Sequence, residues 1–258
     1  MDELWNYNVE LKQLKVVDDH GNILSNRLAT VEPETGRVIG IVTPRFKLIQ
    51  NKTLYDVMQQ VGERLGLKLN TVHVCRNKAL TSFRYGFAKQ EVAVESGEKD
   101  DVVRFGVDVI NTFDGGLFSK RIQFTADRLA CLNGMTLPRE IGRISLNNLS
   151  VDEGSFARVV EGRIKPVLET AHVWNEWAKF TPNRLKVGEF ISKKLPSKVS
   201  ADLLNRFDAG RDRTLWGLYN LVTFYATHEL KTRTPENLRL RQMELASVEN
   251  SFYNTDFK

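Results

Sequence analysis

Four histidines (His20, His73, His172 and His228), two cysteines (Cys75 and Cys131) and the carboxylates Asp108 and Asp114 are the side chains from which a reactive centre would be assembled. Their spacing assembles little. His73 and Cys75, two apart, fall on one face of a strand, yet tetrahedral zinc needs two more ligands, or one and a water, and no matching pair lies nearby. His172 and Glu176 stand one helical turn apart with no second pair to meet them. No histidine sits in a nucleophile-elbow motif, and a triad needs a serine or cysteine beside a histidine and an acid. The phosphate-binding G-x-x-x-x-G-K-[S/T] is missing, which disfavours a nucleotide-hydrolysing recombinase. Asp114-Gly115-Gly116 reads as a hairpin turn rather than a phosphate cradle. Asp108 and Asp114 along one hairpin are the residues a metal-dependent nuclease would use, although turn and surface roles account for them more simply. We therefore expect no catalytic residue, metal or cofactor.

Basic residues interleaved with aromatics offer a different chemistry. Net charge is +5, but residues 43–90 hold nine basic side chains against two acids, whereas the first 40 residues are net acidic. Such a stretch attracts phosphates. Arg45, Lys47 and Lys52 are expected at a strand–helix junction, where helix-terminal amides add positive character. Arg84, Arg104, Lys120, Arg121 and Arg128 would extend the groove, and Phe46, Tyr85, Phe105 or Phe118 would stack bases where exposed. A half-buried strand with a solvated basic face has the same alternation, because neighbouring side chains of one strand point to opposite sides.

The elements that must position these residues follow from periodicity. Residues 1–31 read as extended segments around a turn at Asp18-Asp19-His20-Gly21-Asn22, followed by a turn at 32–36 and the apolar run 38–42. A short strand is expected over 45–50. Leu54, Val57, Met58, Val61 and Leu65 predict a helix over about 51–65, with Gly66 to end it. Strands follow at 67–75 and 80–89 around Arg76-Asn77-Lys78, with Phe83, Tyr85 and Phe87 on one face. Residues 95–101 read as an exposed hairpin loop and 103–110 as a half-buried strand. Another strand returns over 117–125. Ser150 with Glu153 reads as a capping box opening a long helix, kinked or split by Pro166. Further helices are expected near 187–195, 200–209, 213–230 and 235–252. The fold class is α+β, with a strand-rich domain at 1–150 and a helical region at 151–258 that packs on it or mediates oligomer contacts. No window approaches about eighteen apolar residues, so no membrane span is expected. The two cysteines read as buried thiols of a reducing cytosol, and the first residues lack the layout of a signal peptide.

Three ordered motifs carry a family resemblance. Thr43-Pro44-Arg45-Phe46-Lys47-Leu48-Ile49-Gln50-Asn51 resembles the R-[YF]-K-x-x-Q-N signature of a phage/plasmid-like domain of unknown function. Asn111-Thr112-Phe113-Asp114-Gly115 resembles that family's N-S-H-D-G turn, with Phe113 in place of the histidine. Arg128-Leu129-Ala130-Cys131-Leu132-Asn133 resembles its R-x-x-C-x-N segment. Order and spacing agree over roughly residues 35–180. The resemblance marks Gln50, Asn51, Asn111, Asp114, Gly115, Cys131 and Asn133 as motif residues, with Asn51 a helix cap or a phosphate contact and capping the simpler role. It implies a mobile element expressed in a bacterial cytoplasm. In outline the layout is similar to phage single-strand annealing proteins, which is analogy at the level of fold.

The function expected is ATP-independent binding and annealing of single-stranded DNA by a homo-oligomer. The alternative is a phage structural or regulatory protein acting through protein contacts, with Trp174, Trp177 and Trp216 as an exposed anchor patch. Their helical spacing favours core packing.

Overall fold

A computed structural model describes residues 4–17, 19–20, 23–96, 101–115, 120–129, 133–136, 142–148, 150–231 and 234–258. At 15–17, 23–26, 90, 133–136, 148 and seven positions between 235 and 246 it describes the backbone alone. The architecture is α+β, with strands in the first part of the chain and helices in the second. Strands β1 (Glu10–Val17), β2 (Ile23–Val31) and β3 (Val38–Val42) form an antiparallel sheet in that order. Helix α1 (Asn51–Leu65) follows. A second, six-stranded sheet orders β4 (Leu67–Cys75), β5 (Leu80–Ala93), β6 (Val102–Thr112), β7 (Arg121–Arg128) and β8 (Asn133–Thr136), with β9 (Arg143–Ser145) also paired to β7. Helices α2 (Glu153–Lys179), α3 (Arg184–Lys194), α4 (Ser197–Ala209), α5 (Leu215–Phe224) and α6 (Pro235–Phe252) complete the chain.

Two compact units emerge, and neither is a continuous stretch. The first comprises 1–88, 107–123 and 143–161, the second 89–106, 124–142 and 162–258. Strands β5, β6 and β7 each contribute residues to both.

In the first unit, α1 buries Leu54, Val57, Met58 and Val61. It stops where Gly66 turns left-handed at φ 71°, a conformation glycine adopts without strain. The residues expected to continue β3 into a strand at 45–50 instead form a turn, in which the Phe46 N–H donates to the Thr43 carbonyl at 3.0 Å, and then irregular backbone. Pro44 supplies no N–H for a ladder, so this segment leaves the sheet. Residues 5–9, ahead of β1, alternate in burial, with Trp5, Tyr7 and Val9 buried and Asn6 and Asn8 exposed. Tyr7, Val9 and Phe113 form a core cluster with Ile39, Leu48 and Val74 against it. Gly40 of β3 lies over the turn after β6: a Cβ there would stand 2.6 Å from the Asp114 Cβ and 3.1 Å from the Phe113 carbonyl oxygen. Because backbone is what it would strike, Gly40→Ala is expected to cost about 1–3 kcal/mol, measured as a lower urea midpoint.

Strand β6 differs from its expected half-buried alternation: from Phe105 to Thr112 every residue is buried, including Gly106, Asp108 and Ile110. A central strand covered on both faces loses the polar face that period-two patterning assumes. In the second unit the tryptophans are core. Trp174 stacks on Phe105 with centroids 5.9 Å apart and lies 5.8 Å from Trp216, while Trp177 meets Tyr219 edge-on at 5.3 Å. Core packing, which their helical spacing favoured, is what they show, and the exposed anchor patch of the alternative reading is corrected. Helix α2 starts later than its expected capping box: the Ser155 N–H donates to the Asp152 carboxylate at 2.8 Å, so Asp152 caps it in place of Ser150. Pro166 does not split α2, which runs unbroken for 27 residues. No helix among the described residues is long and apolar enough to cross a membrane.

Candidate nucleic-acid interface

The loop before α1 carries two exposed basic side chains. Arg45 and Lys47 are exposed and Phe46 is half-buried between them, while Ile49 anchors the loop in the core. Arg45 makes no ion pair among the described residues. Gln50 occupies the N-cap position of α1 in extended geometry, but its side chain makes no capping bond and the first turn carries no acid. The helix therefore presents its amides and dipole without a carboxylate to offset them. Lys52, exposed on that first turn, pairs with Asp56 one turn on at 2.7 Å.

Beneath the loop lies Lys120, just before β7 and only 3 % exposed. Its ammonium donates to the Lys47 carbonyl and sits 3.7 Å from the centre of the Phe46 ring. Burial, with the nearby Lys47 charge as a lesser cause, pushes its pKa down to about 8. No carboxylate pairs with it among the described residues. A buried cation is normally matched by an anion; here the partners are a carbonyl dipole and an aromatic face.

The other expected contacts are engaged elsewhere. Arg84 faces the buried Asp108 at 3.3 Å, and exposed Arg104 pairs with Glu91 at 2.5 Å. Arg121 is buried and donates to the Gln123 carboxamide at 2.9 Å. Arg128 is buried and donates to Asp101 through Nε at 2.5 Å and Nη2 at 3.0 Å. Asp101, read from sequence as part of an exposed loop, is 2 % exposed and also accepts from the Ser96 hydroxyl at 2.6 Å and the Trp216 indole N–H at 2.9 Å. Burial works against its charge, but these donors prevail and hold its pKa below the usual carboxylate range. Of the aromatics, Tyr85 and Phe105 are buried, which leaves Phe46 as the partly accessible one; Phe118 lies outside the described residues. The Tyr85 hydroxyl is raised above its ordinary pKa by burial.

The motif carboxamides Gln50, Asn51 and Asn111 bond within the fold. Gln50 clips the segment ahead of β1: its Nε2 donates to the Val9 carbonyl at 2.7 Å and its Oε1 accepts from the Val9 N–H at 3.2 Å. The Asn51 side chain, fully buried, neither caps α1 nor reaches solvent. Its Nδ2 donates to the Trp5 carbonyl at 2.9 Å and the Thr81 hydroxyl at 3.0 Å, while its Oδ1 accepts from Asn111 Nδ2 at 2.9 Å. Asn111 Nδ2 also donates to the Ile49 carbonyl at 2.9 Å. The Tyr7 hydroxyl donates to the Lys78 carbonyl at 2.5 Å and lies 3.0 Å from the Thr81 hydroxyl.

Asp114 pairs with Arg76 at 2.7 Å and Gly115 turns at φ 61°. That pair braces a turn in which Arg76, Asn77 and Lys78 all take positive φ, costly for side chains with a Cβ. Lys78 is paired in turn with the buried Glu32. Cys131 lies outside the described residues, and Asn133 is described through its backbone, opposite Arg128 in the β7–β8 register. Sequence reading missed Tyr7, Thr81, Glu32 and Arg76 as members of this framework. The alternation of Trp5, Tyr7 and Val9 was the signal available for the first. Among the described residues no cluster of three or more His, Cys, Asp or Glu is placed to hold a metal ion.

A family model described as a domain of unknown function (DUF932) matches residues 38–246, continuing through most of the helical part that the sequence motifs had not reached. No curated protein and no solved structure matches the chain.

Proposed function

The chain belongs to this family of unknown function, and we propose that it binds single-stranded nucleic acid through the loop preceding α1. The observation supporting this reading is the group formed by exposed Arg45 and Lys47 above buried Lys120, with no carboxylate paired to Arg45 or Lys120 among the described residues. Like charges held together are stabilised by a polyanion laid over them. Phe46, half-buried with Lys120 against its ring, offers the aromatic surface that single strands use for stacking. Annealing of complementary strands without nucleotide hydrolysis, by a homo-oligomer in the cytoplasm of a host carrying a phage or plasmid, extends the proposal by family resemblance and analogy of outline.

The test is fluorescence anisotropy with a labelled single strand, a duplex control and a salt series. Arg45→Glu with Lys47→Glu is expected to weaken binding at least about tenfold and to flatten the log–log salt slope by about 1.4, roughly 0.7 for each phosphate of a single strand that the variant no longer neutralises. Wild-type protein that fails to bind at low salt would sink the proposal. The alternative reading as a protein-docking subunit would then lead. Its support is edge strand β3, where Val38 and Ile41 are 54 % and 58 % exposed.

A further inference from the structure

Lys120 differs from the other cations of this site because it cannot be reached from solvent. It acts through the loop it grips: its ammonium bonds the backbone of Lys47 and lies against the ring of Phe46, the two residues flanking the accessible surface. The charge on Lys120 strengthens both contacts, since a cation polarises a carbonyl bond and is drawn to an aromatic face while a neutral amine is not. The same charge adds to the positive potential over the loop.

We propose that Lys120 is a proton-linked positioning residue of this site, holding the Arg45–Lys47 loop in its phosphodiester-binding form while protonated and drawing a proton onto its amine when a phosphodiester binds. This rests on the nucleic-acid reading above. The charged groups around it favour such linkage. Lys47 bears on it directly from the loop and lowers its pKa. Arg121, next on β7, has its guanidinium bonded to Gln123. Leu146, which donates to the Lys120 carbonyl at 3.0 Å, brings no charge. With its pKa pushed down to about 8, Lys120 changes charge well below the ordinary lysine range. A phosphodiester bound to the loop brings negative charge over Lys120 and raises that pKa, so binding and protonation reinforce each other.

The experiment measures anisotropy of labelled oligo-deoxyadenosine, whose base does not ionise in this range, from pH 6.5 to 9.5 at constant ionic strength. Inorganic phosphate serves as a competitor to separate a strand site from a free-anion site. Wild-type affinity is expected to fall about tenfold across the window, for a linkage of about one pKa unit. Calorimetry at pH 8.5 in two buffers of different ionisation enthalpy should show fractional proton uptake. Lys120→Met, which preserves length and packing, should bind more weakly with a flat profile, while Lys120→Arg should restore binding with a flat profile. Wild-type binding that is strong but independent of pH, or a Lys120→Met variant that titrates as the wild type does, overturns the role of Lys120 and leaves the nucleic-acid reading standing. Failure to bind at any pH removes both. Release of the strand by millimolar phosphate alone would point to a free-anion site and overturn the phosphodiester assignment.

Discussion

Asp101→Ala is expected to destabilise the second unit by about 3–5 kcal/mol, the loss typical when one partner of a buried ion pair is removed. The carboxylate accepts from both Arg128 nitrogens, from Ser96 and from Trp216. Alanine leaves a buried guanidinium, a hydroxyl and an indole N–H facing a void. The Trp216 ring lies 5.9 Å from the Arg128 guanidinium carbon, so the same change should alter tryptophan fluorescence. Equilibrium urea unfolding followed by that fluorescence reads both effects. A loss below about 1 kcal/mol would mean that water replaces the carboxylate at little cost. Acid provides a second check. Because the folded pKa of Asp101 lies below its ordinary value, its stabilisation is fully present above the ordinary carboxylate range and disappears as pH falls through the folded pKa. The wild type should therefore lose stability in that acidic window more steeply than Asp101→Asn, which has no such proton to bind.

Asn51→Ala is expected to cost about 2–4 kcal/mol, because it strands the Trp5 carbonyl and removes one bond each from the Thr81 hydroxyl and the Asn111 amide in a dry interior. Asn111→Ala removes a bond to Asn51 and another to the Ile49 carbonyl, and should cost a comparable amount. Since the two side chains share a bond, the double variant should cost less than the sum of the singles by about 0.5–3 kcal/mol. Simple additivity would show that the amides act independently. Hydrogen exchange should localise the effect: Asn51→Ala releases the backbone at Trp5, so amides of residues 5–9 and of the 43–50 loop should lose protection first. The variant also separates two roles for the motif. A phosphate contact would make Asn51→Ala weaken strand binding by the folded protein without changing the salt slope, since asparagine carries no charge. A structural amide instead changes stability and leaves the affinity of the folded protein alone.

The two carboxamides show where motif reasoning parts from geometry. Gln50 and Asn51 read as motif residues, Asn51 as a helix cap or a phosphate contact with capping the simpler role, and their positions at that helix start are as expected. Their partners, Val9, Trp5, Thr81 and Asn111, come from segments tens of residues away in the chain. Local pattern cannot indicate which distant backbone groups require satisfaction. The arginines separate in the same way: Arg45 stays exposed on its loop, whereas Arg128 is drawn inward by an aspartate that looked like loop solvent surface.

What the amino-acid order determined by itself was local. Apolar spacing and Gly66 set α1 at Asn51–Leu65, turn-prone residues separated β4 from β5, and Pro235 opened α6. These depend on periodicity and backbone preference, which act over a few residues. The tertiary structure alone decided which charges stay in water. It covered both faces of β6, buried Asp101 with Arg128, and set Lys120 under Phe46 with no carboxylate paired to it among the described residues. Burial is a property of what packs above a residue, and the chain segments that cover these side chains are brought there by the fold rather than by their neighbours in sequence.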